Sequence, residues 1–191
     1  AYSDGTAGSA SNTSGRFTDY IGYSDYSLIT WNNNLYNYGL NYSFGSYLAR
    51  NYGGAELFQN IVQNEYTDHQ AVESAVATTT GSSVSLADLL RRWGVAVLLS
   101  DNTAAPTNYV YNTGAFSSSI LDSITYSLGS INAFNYYDGT YTGPKIYTTS
   151  LPSSHQSAST TFFEVGTDLT GVLSKTVYVP SGVKLSVVLK E

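Results

Sequence analysis

The chain has 191 residues, of which 42% are apolar and only 12% charged, against about a quarter charged in an ordinary soluble protein. Its 8 basic and 14 acidic residues leave a net charge of −6, which argues against nucleic acid or an anionic membrane as partner, because those need clustered Lys and Arg. There is no Cys, so disulfides, thiolate metal sites and cysteine nucleophiles are excluded as well.

Sparse charge, plentiful Ser, Thr, Asn and Tyr, and the absence of Cys and Met match an exported bacterial protein with little sulfur to oxidise. The expected location is therefore secreted or cell-surface. No apolar run approaches the roughly 20 residues of a membrane span.

Residues 1–16 are rich in Ser, Gly, Asn and Thr and have little to bury; they read as a flexible arm. Residues 17–37 hold Tyr20, Ile21, Tyr23, Tyr26, Leu28, Ile29 and Trp31 without steady periodicity, which suggests irregular structure packed by aromatics, with room for one short helix. From Tyr38 a helical period sets in. Leu40, Phe44, Tyr47 and Leu48 share one face, and Gly53-Gly54 supplies a stop. Leu57, Phe58, Ile61 and Val62 repeat the spacing in a second helix. Thr67 and Gln70 have capping-box spacing ahead of Ala71, Val72, Ala75 and Val76, with Gly81 as the stop. Ser85 caps a fourth helix, whose buried stripe is Leu86, Leu89, Leu90, Trp93, Ala96 and Val97.

Beyond Pro106 the pattern turns strand-like. Residues 131–137 and 145–149 are rich in β-branched and aromatic residues, with turn signals at Asp138-Gly139 and Gly143-Pro144 between them. Residues 161–167, 174–179 and 183–189 read as strands, the last two joined by Pro180-Ser181-Gly182. In the final one Val183, Leu185, Val187 and Leu189 alternate with Lys184, Ser186, Val188 and Lys190, the pattern of a half-buried strand. The expected class is α+β: a flexible arm over 1–16, a helical subdomain of about four helices over 17–105, and a small antiparallel, sandwich-like β subdomain over 120–191.

Chemistry is scarce. The two histidines are His69 and His155. The chain contains no His-Glu-x-x-His, no G-x-S-x-G, no Walker loop and no GxGxxG. Glu65, His69 and Glu73 are spaced i, i+4, i+8, but a helix capped at Thr67 leaves Glu65 outside it, so the set reads as a solvated face and no metal is assigned. His155 reads as an exposed loop residue. Asp101-Asn102 and Asp138 offer oxygens of the kind Ca²⁺ takes but lack EF-hand spacing, and they read as turn residues. Tyr20, Tyr23, Tyr26, Tyr36, Tyr38 and Tyr42 crowd one stretch. They form either a binding platform with apolar faces and polar tips or a core in which Tyr replaces Leu and Phe.

One long stretch resembles a known family. Ser27-Leu28-Ile29-Thr30-Trp31, and then the run from Tyr38-Gly39-Leu40 through Phe44, Tyr47-Leu48 and Tyr52-Gly53-Gly54, resemble the segment after the active-site helices in hyicolysin-type, gluzincin-like zinc metallopeptidases. Leu57 to Gln63, the Ala71–Ala75 and Leu86–Val97 helices, Gly143-Pro144-Lys145-Ile146-Tyr147 and the last thirty or so residues are similar to the closing helices and β-rich tail of that family. Its members bind zinc through His-Glu-x-x-His and a downstream Glu, with the motif's own Glu as general base. None of these can be carried onto a residue of this chain.

The resemblance implies either the C-terminal portion of a secreted zinc metallopeptidase-like protein, separated from its zinc helix, or a degenerate relative, and the first is the reading taken. It also implies zinc for the family and none for this chain, and two partners: the upstream zinc-bearing part of the same precursor, and a peptide or protein substrate. Without its ligands the chain alone is not expected to hydrolyse peptides, which leaves its standing as an enzyme open. Tyr38 and Tyr42 are the candidate catalytic residues, because a phenol beside a zinc site can donate to the tetrahedral oxyanion; core packing is the competing role for each. The rival reading is a non-enzymatic extracellular module that uses the tyrosine-rich surface for glycan or protein contact.

Overall fold

In the computed structural model, which describes residues 10–112 and 117–190, helices come first and short strands follow. The helices are α1 (Ala10–Ile21), α2 (Leu35–Asn51), α3 (Gly54–Gln63), α4 (Asp68–Thr80) and α5 (Leu86–Leu98). The strands are β1 (Ser117–Leu121), β2 (Ile124–Leu128), β3 (Ile146–Tyr147) and β4 (Phe162–Phe163). The class is α+β with a helical N-terminus.

The central helix is α2. Leu40, Phe44, Tyr47 and Leu48 are buried as their spacing requires. Its other side is buried too, through the small residues Gly39, Ser43 and Ser46. Small residues let a neighbouring backbone come close, and α1 does so at Gly39. A Cβ there would lie 2.7 Å from Tyr20 N and 2.8 Å from the carbonyl carbon of Asp19.

The presence of α1 corrects the sequence reading. From Ala10 the expected arm is helix, and so is the start of the expected irregular segment; residues 1–9 lie outside the described residues. Phe17, Tyr20 and Ile21 are fully buried. Phe17 alone meets Tyr20, Tyr42, Tyr111 and Tyr136 with ring centroids 5.6–6.0 Å apart. Tertiary packing of a short apolar stripe, more than propensity, sustains this helix.

The later helices follow their local signals, with one exception. Gly81 closes α4 at φ 73°. Ser85 Oγ accepts the Asp88 N–H at 3.2 Å, and Glu73 Oε1 accepts the Leu86 N–H at 2.6 Å, so two N–H groups at the start of α5 are satisfied. Leu89, Leu90, Trp93, Ala96 and Val97 are buried, with Trp93 against Tyr20 at 5.6 Å and Phe44 at 5.4 Å. The exception is Thr67, whose side chain makes no cap bond. Asp68, at φ 54°, accepts the Gln70 N–H through Oδ1 at 3.0 Å instead. The charged carboxylate takes the place of the hydroxyl at this helix start.

The strand half departs further from expectation. β1 and β2 form an antiparallel hairpin, from Ser117 opposite Leu128 to Leu121 opposite Ile124. Asp122 and Ser123 both have positive φ in its two-residue turn, which suits the right-handed strand twist. β3 and β4 pair in parallel, Ile146 with Phe162 and Tyr147 with Phe163. The Asp138-Gly139 turn forms as read: Asp138 Oδ1 accepts the N–H groups of Thr140 and Tyr141, each at 2.6 Å. Residues 131–137 are not a strand, apart from one bridge between Tyr137 and Thr142. Of residues 161–167 only Phe162–Phe163 is strand, and residues 174–179 and 183–189 pair with no strand among those described.

The last segment is read correctly for period and wrongly for side. Lys184 Nζ reaches Asp88 Oδ1 at 2.9 Å, Ser186 Oγ accepts from Arg91 at 3.2 Å, and Lys190 Nζ reaches Asp101 Oδ2 at 2.6 Å. The polar side thus lies along α5 and its C-terminal end, while Val183, Leu185, Val187 and Leu189 face solvent at 46–84% exposure. Elsewhere the halves share one core, because Ile131, Ala133 and Phe162 join the buried helical cluster.

The tether at Asp88 makes the segment acid-sensitive. Hydrogen bonds from Lys184 and then Ser85 hold the Asp88 carboxyl at about 2, below the ordinary carboxylate range. Its contribution is therefore complete above about pH 4 and lost as pH falls through about 2. Asp88→Asn should destabilise the protein by under about 1 kcal/mol at neutral pH, the scale of a solvated ion pair. Urea melts should show that difference vanishing near pH 2. A difference unchanged there would mean that the carboxylate charge is not what holds the segment.

Candidate functional site

The chain leaves α1 through two tight turns, Tyr23 N–H to Tyr20 O and Tyr26 N–H to Tyr23 O, each at 3.0 Å. Tyr23, Tyr26 and Tyr36 then close a triangle with ring centroids 4.9–5.1 Å apart. Ser27 Oγ accepts the N–H groups of Ile29 and Thr30 at 3.3 and 3.0 Å. Buried Asn37 fixes the rest of the loop. Its Oδ1 accepts from Asn32 N–H and Asn34 N–H, both at 3.2 Å, and its Nδ2 donates to Thr30 O at 2.8 Å. The loop's backbone donors at Ile29, Thr30, Asn32 and Asn34 are therefore all engaged.

The strand half clamps this loop from outside. Ser24 Oγ accepts the Lys145 N–H at 2.9 Å. Asp25 Oδ2 accepts from Lys145 Nζ at 3.0 Å and from the Tyr147 hydroxyl at 2.7 Å. Gln156 Oε1 accepts the Ser27 N–H, and Ala158 O the Leu28 N–H, each at 3.1 Å. Hydrogen bonding to Tyr147 and Asp25 raises the Lys145 ammonium above its usual range, so it stays charged and keeps its hold.

The two candidate phenols occupy adjacent turns of α2 under α1. Tyr42 is half-buried and meets the Phe17 ring edge-on at 5.7 Å. Tyr38 is exposed; its ring stands 4.9 Å from Trp31 at 74°, and the Arg16 guanidinium lies 4.9 Å from its centroid. Deeper in, burial pushes the hydroxyls of Tyr20 and Tyr47 above their usual range. Both are neutral groups and cannot serve as bases at ordinary pH.

The remaining polar candidates are scattered. Glu65 and His69 are exposed, with His69 Nδ1 2.9 Å from Asp68 Oδ1, while Glu73 is spent on α5. His155 meets Thr161 Oγ1 at 3.1 Å. Asp101 pairs with Lys190, and Asn102 Oδ1 accepts the Ala104 N–H at 2.8 Å. Among the described residues no group of three or more His, Cys, Asp or Glu stands close enough to hold a metal ion. None of their helices is long and apolar enough to cross a membrane. Asn37, which organises the loop, went unread in the sequence. The signal was the run Asn32-Asn33-Asn34 followed three residues later by another Asn, the spacing of a helix cap.

The described residues thus make a helical α+β fold with a tyrosine-rich loop. A profile of the family Peptidase M30 matches residues 4–190, and the chain belongs to that family. No curated protein and no solved structure matches it. Zinc fits that family, but the donors among the described residues do not form a site for it.

Asp25 is the centre of the clamp and the readiest place to test it. Asp25→Asn removes a charge-assisted acceptor of two hydrogen bonds and should cost about 1–2 kcal/mol in urea melts. Amide exchange at Ser27 and Leu28 should accelerate with it. A loss within about 0.5 kcal/mol, the scatter of surface changes, with exchange unaltered, would show that the loop is held without the clamp.

Proposed function

We propose that this chain is the C-terminal portion of a secreted zinc metallopeptidase-like protein and is not proteolytic by itself. The observation that carries this reading is where the imidazoles stand in a chain of Peptidase M30. His69 sits in the first turn of α4 beside Asp68, and His155 in a loop beside Thr161. A peptidase zinc needs about three converging protein ligands. These residues do not supply them, so no step of hydrolysis runs through a zinc held by them.

The zinc-bearing part of the same protein is the natural partner in this reading. Val183, Leu185, Val187 and Leu189 form an apolar row turned to solvent, and apolar rows of that kind mark contact surfaces. Of the two candidate phenols, Tyr38 reaches solvent and is the one we assign to donate a hydrogen bond to a peptide oxyanion. Tyr42, packed on Phe17, supports α1. Secretion is supported by the cysteine-free, charge-poor composition.

The test joins a gene reading with an assay. The reading frame ahead of the Ala1 codon should encode His-Glu-x-x-His. The purified chain, dialysed and then supplied with zinc, should retain no stoichiometric metal and cleave no casein. One zinc per chain, lost in His69→Ala and accompanied by cleavage, would overturn the proposal; so would a reading frame without the motif.

A further inference from the structure

The exposed aromatic surface beside α2 is larger than a single oxyanion donor requires. Trp31 is 54% exposed, Tyr38 41% and Tyr23 42%. Trp31 and Tyr38 form one pair, 4.9 Å between centroids. Tyr23 meets Tyr36 at 5.0 Å with the ring planes tilted by 31°, and the Tyr36 hydroxyl accepts from the exposed amides of Asn32 and Asn34. Tyr36 and Tyr38 stand two residues apart on α2 and so do not share a face, which leaves Trp31 and Tyr38 as a site of their own.

Three properties narrow what such a surface recognises. Its segment is uncharged, since residues 26–42 contain no charged side chain, and the Arg16 guanidinium over Tyr38 is itself paired with Asp19 at 3.5 Å. This disfavours phosphate, nucleic acid and strongly charged peptides. It is preorganised, because Asn37, Ser27 and the tyrosine triangle fix the backbone beneath it, which lowers the ordering cost of binding. It also offers few free backbone groups. The donors at Ile29, Thr30, Asn32 and Asn34 are already engaged, which disfavours an extended peptide pairing along it.

What remains is recognition by aromatic faces and amide edges. A pyranose ring presents C–H groups on one face and hydroxyls around its rim. Exposed Trp and Tyr rings suit the first, and Asn amides, which both donate and accept, suit the second. We propose that the exposed Trp31–Tyr38 pair, in its amide-rich loop, binds a neutral oligosaccharide. The site does not depend on the peptidase reading, and neither the zinc content nor the upstream motif bears on it.

The two tryptophans provide the readout. Trp31 is exposed and Trp93 is 1% exposed, so a ligand at this surface changes the emission of one and spares the other. The intact chain is titrated with cellohexaose, chitohexaose, maltohexaose and a neutral apolar hexapeptide, by fluorescence and by calorimetry. At least one oligosaccharide should shift the Trp31 emission saturably to shorter wavelength, with Kd in the millimolar range or tighter (about −4 kcal/mol or better). Trp31→Ala should abolish the heat of binding. Tyr38→Ala, at the exposed partner ring, should weaken binding severalfold while leaving the circular dichroism and the Trp93 emission unchanged. No saturable change with any of the three sugars up to about 10 mM would overturn the proposal. Binding that survives Trp31→Ala, or tighter binding of the hexapeptide than of every sugar, would overturn it too.

Discussion

The backbone of α1 rests on Gly39 of α2. Where any other residue would place a Cβ, the Asp19–Tyr20 peptide lies 2.7–2.8 Å away, closer than real Cβ contacts allow. Because the two helices touch there, Phe17 and Tyr20 enter the core, where Tyr20 meets Trp93 from α5. The same contact brings Arg16 to Tyr38 and Phe17 to Tyr42. Both candidate phenols thus take their surroundings from one interhelical approach. So does the loop that carries Trp31, since it must leave the end of α1 and return to the start of α2.

That loop belongs to both halves of the chain. Its inner side is fixed by Asn37 and Ser27, and its outer side by Lys145, Tyr147, Gln156 and the Ala158 carbonyl. The outer contacts are polar and join groups far apart in sequence. Polar contacts of this sort specify one arrangement more than they add net stability, because each group exchanges bonds to water for bonds to protein. The aromatic surface is accordingly rigid yet exposed, a combination suited to recognition. The apolar row at the end of the chain is different. It is anchored to α5 and its C-terminal end by solvated charges at Asp88, Asp101, Lys184 and Lys190, so its apolar side is presented without being buried.

The sequence made the middle helices legible because their stripes, glycine stops and the Ser85 cap are local signals. It hid α1, whose residues Phe17, Tyr20 and Ile21 are helix-spaced but preceded by a polar stretch that resembles a linker. It misled at the C-terminus, where alternation marks a strand-like period but not which side is inward. There the charges of Asp88 and Asp101 captured Lys184 and Lys190. Of the candidate site, the tyrosine crowding and the Tyr38-Gly39 pair could be read. The steric reason for Gly39 could not, since it lies in a different helix, and the Asp25 clamp joins residues 120 and 122 positions apart. The family resemblance, carried by the same aromatic and glycine positions, agrees with the Peptidase M30 match.

Two glycines of α2 give the most direct test. At Gly45 a Cβ would meet only the Phe58 ring at 3.8 Å, an ordinary contact, whereas at Gly39 it would strike backbone. Equilibrium urea unfolding of Gly39→Ala and Gly45→Ala should therefore give opposite signs. Gly45→Ala gains up to about 1 kcal/mol from helix propensity, and Gly39→Ala loses about 1–3 kcal/mol as α1 is pushed off its seat. Stability of Gly39→Ala equal to that of Gly45→Ala would contradict the account, because α1 would then not depend on that contact.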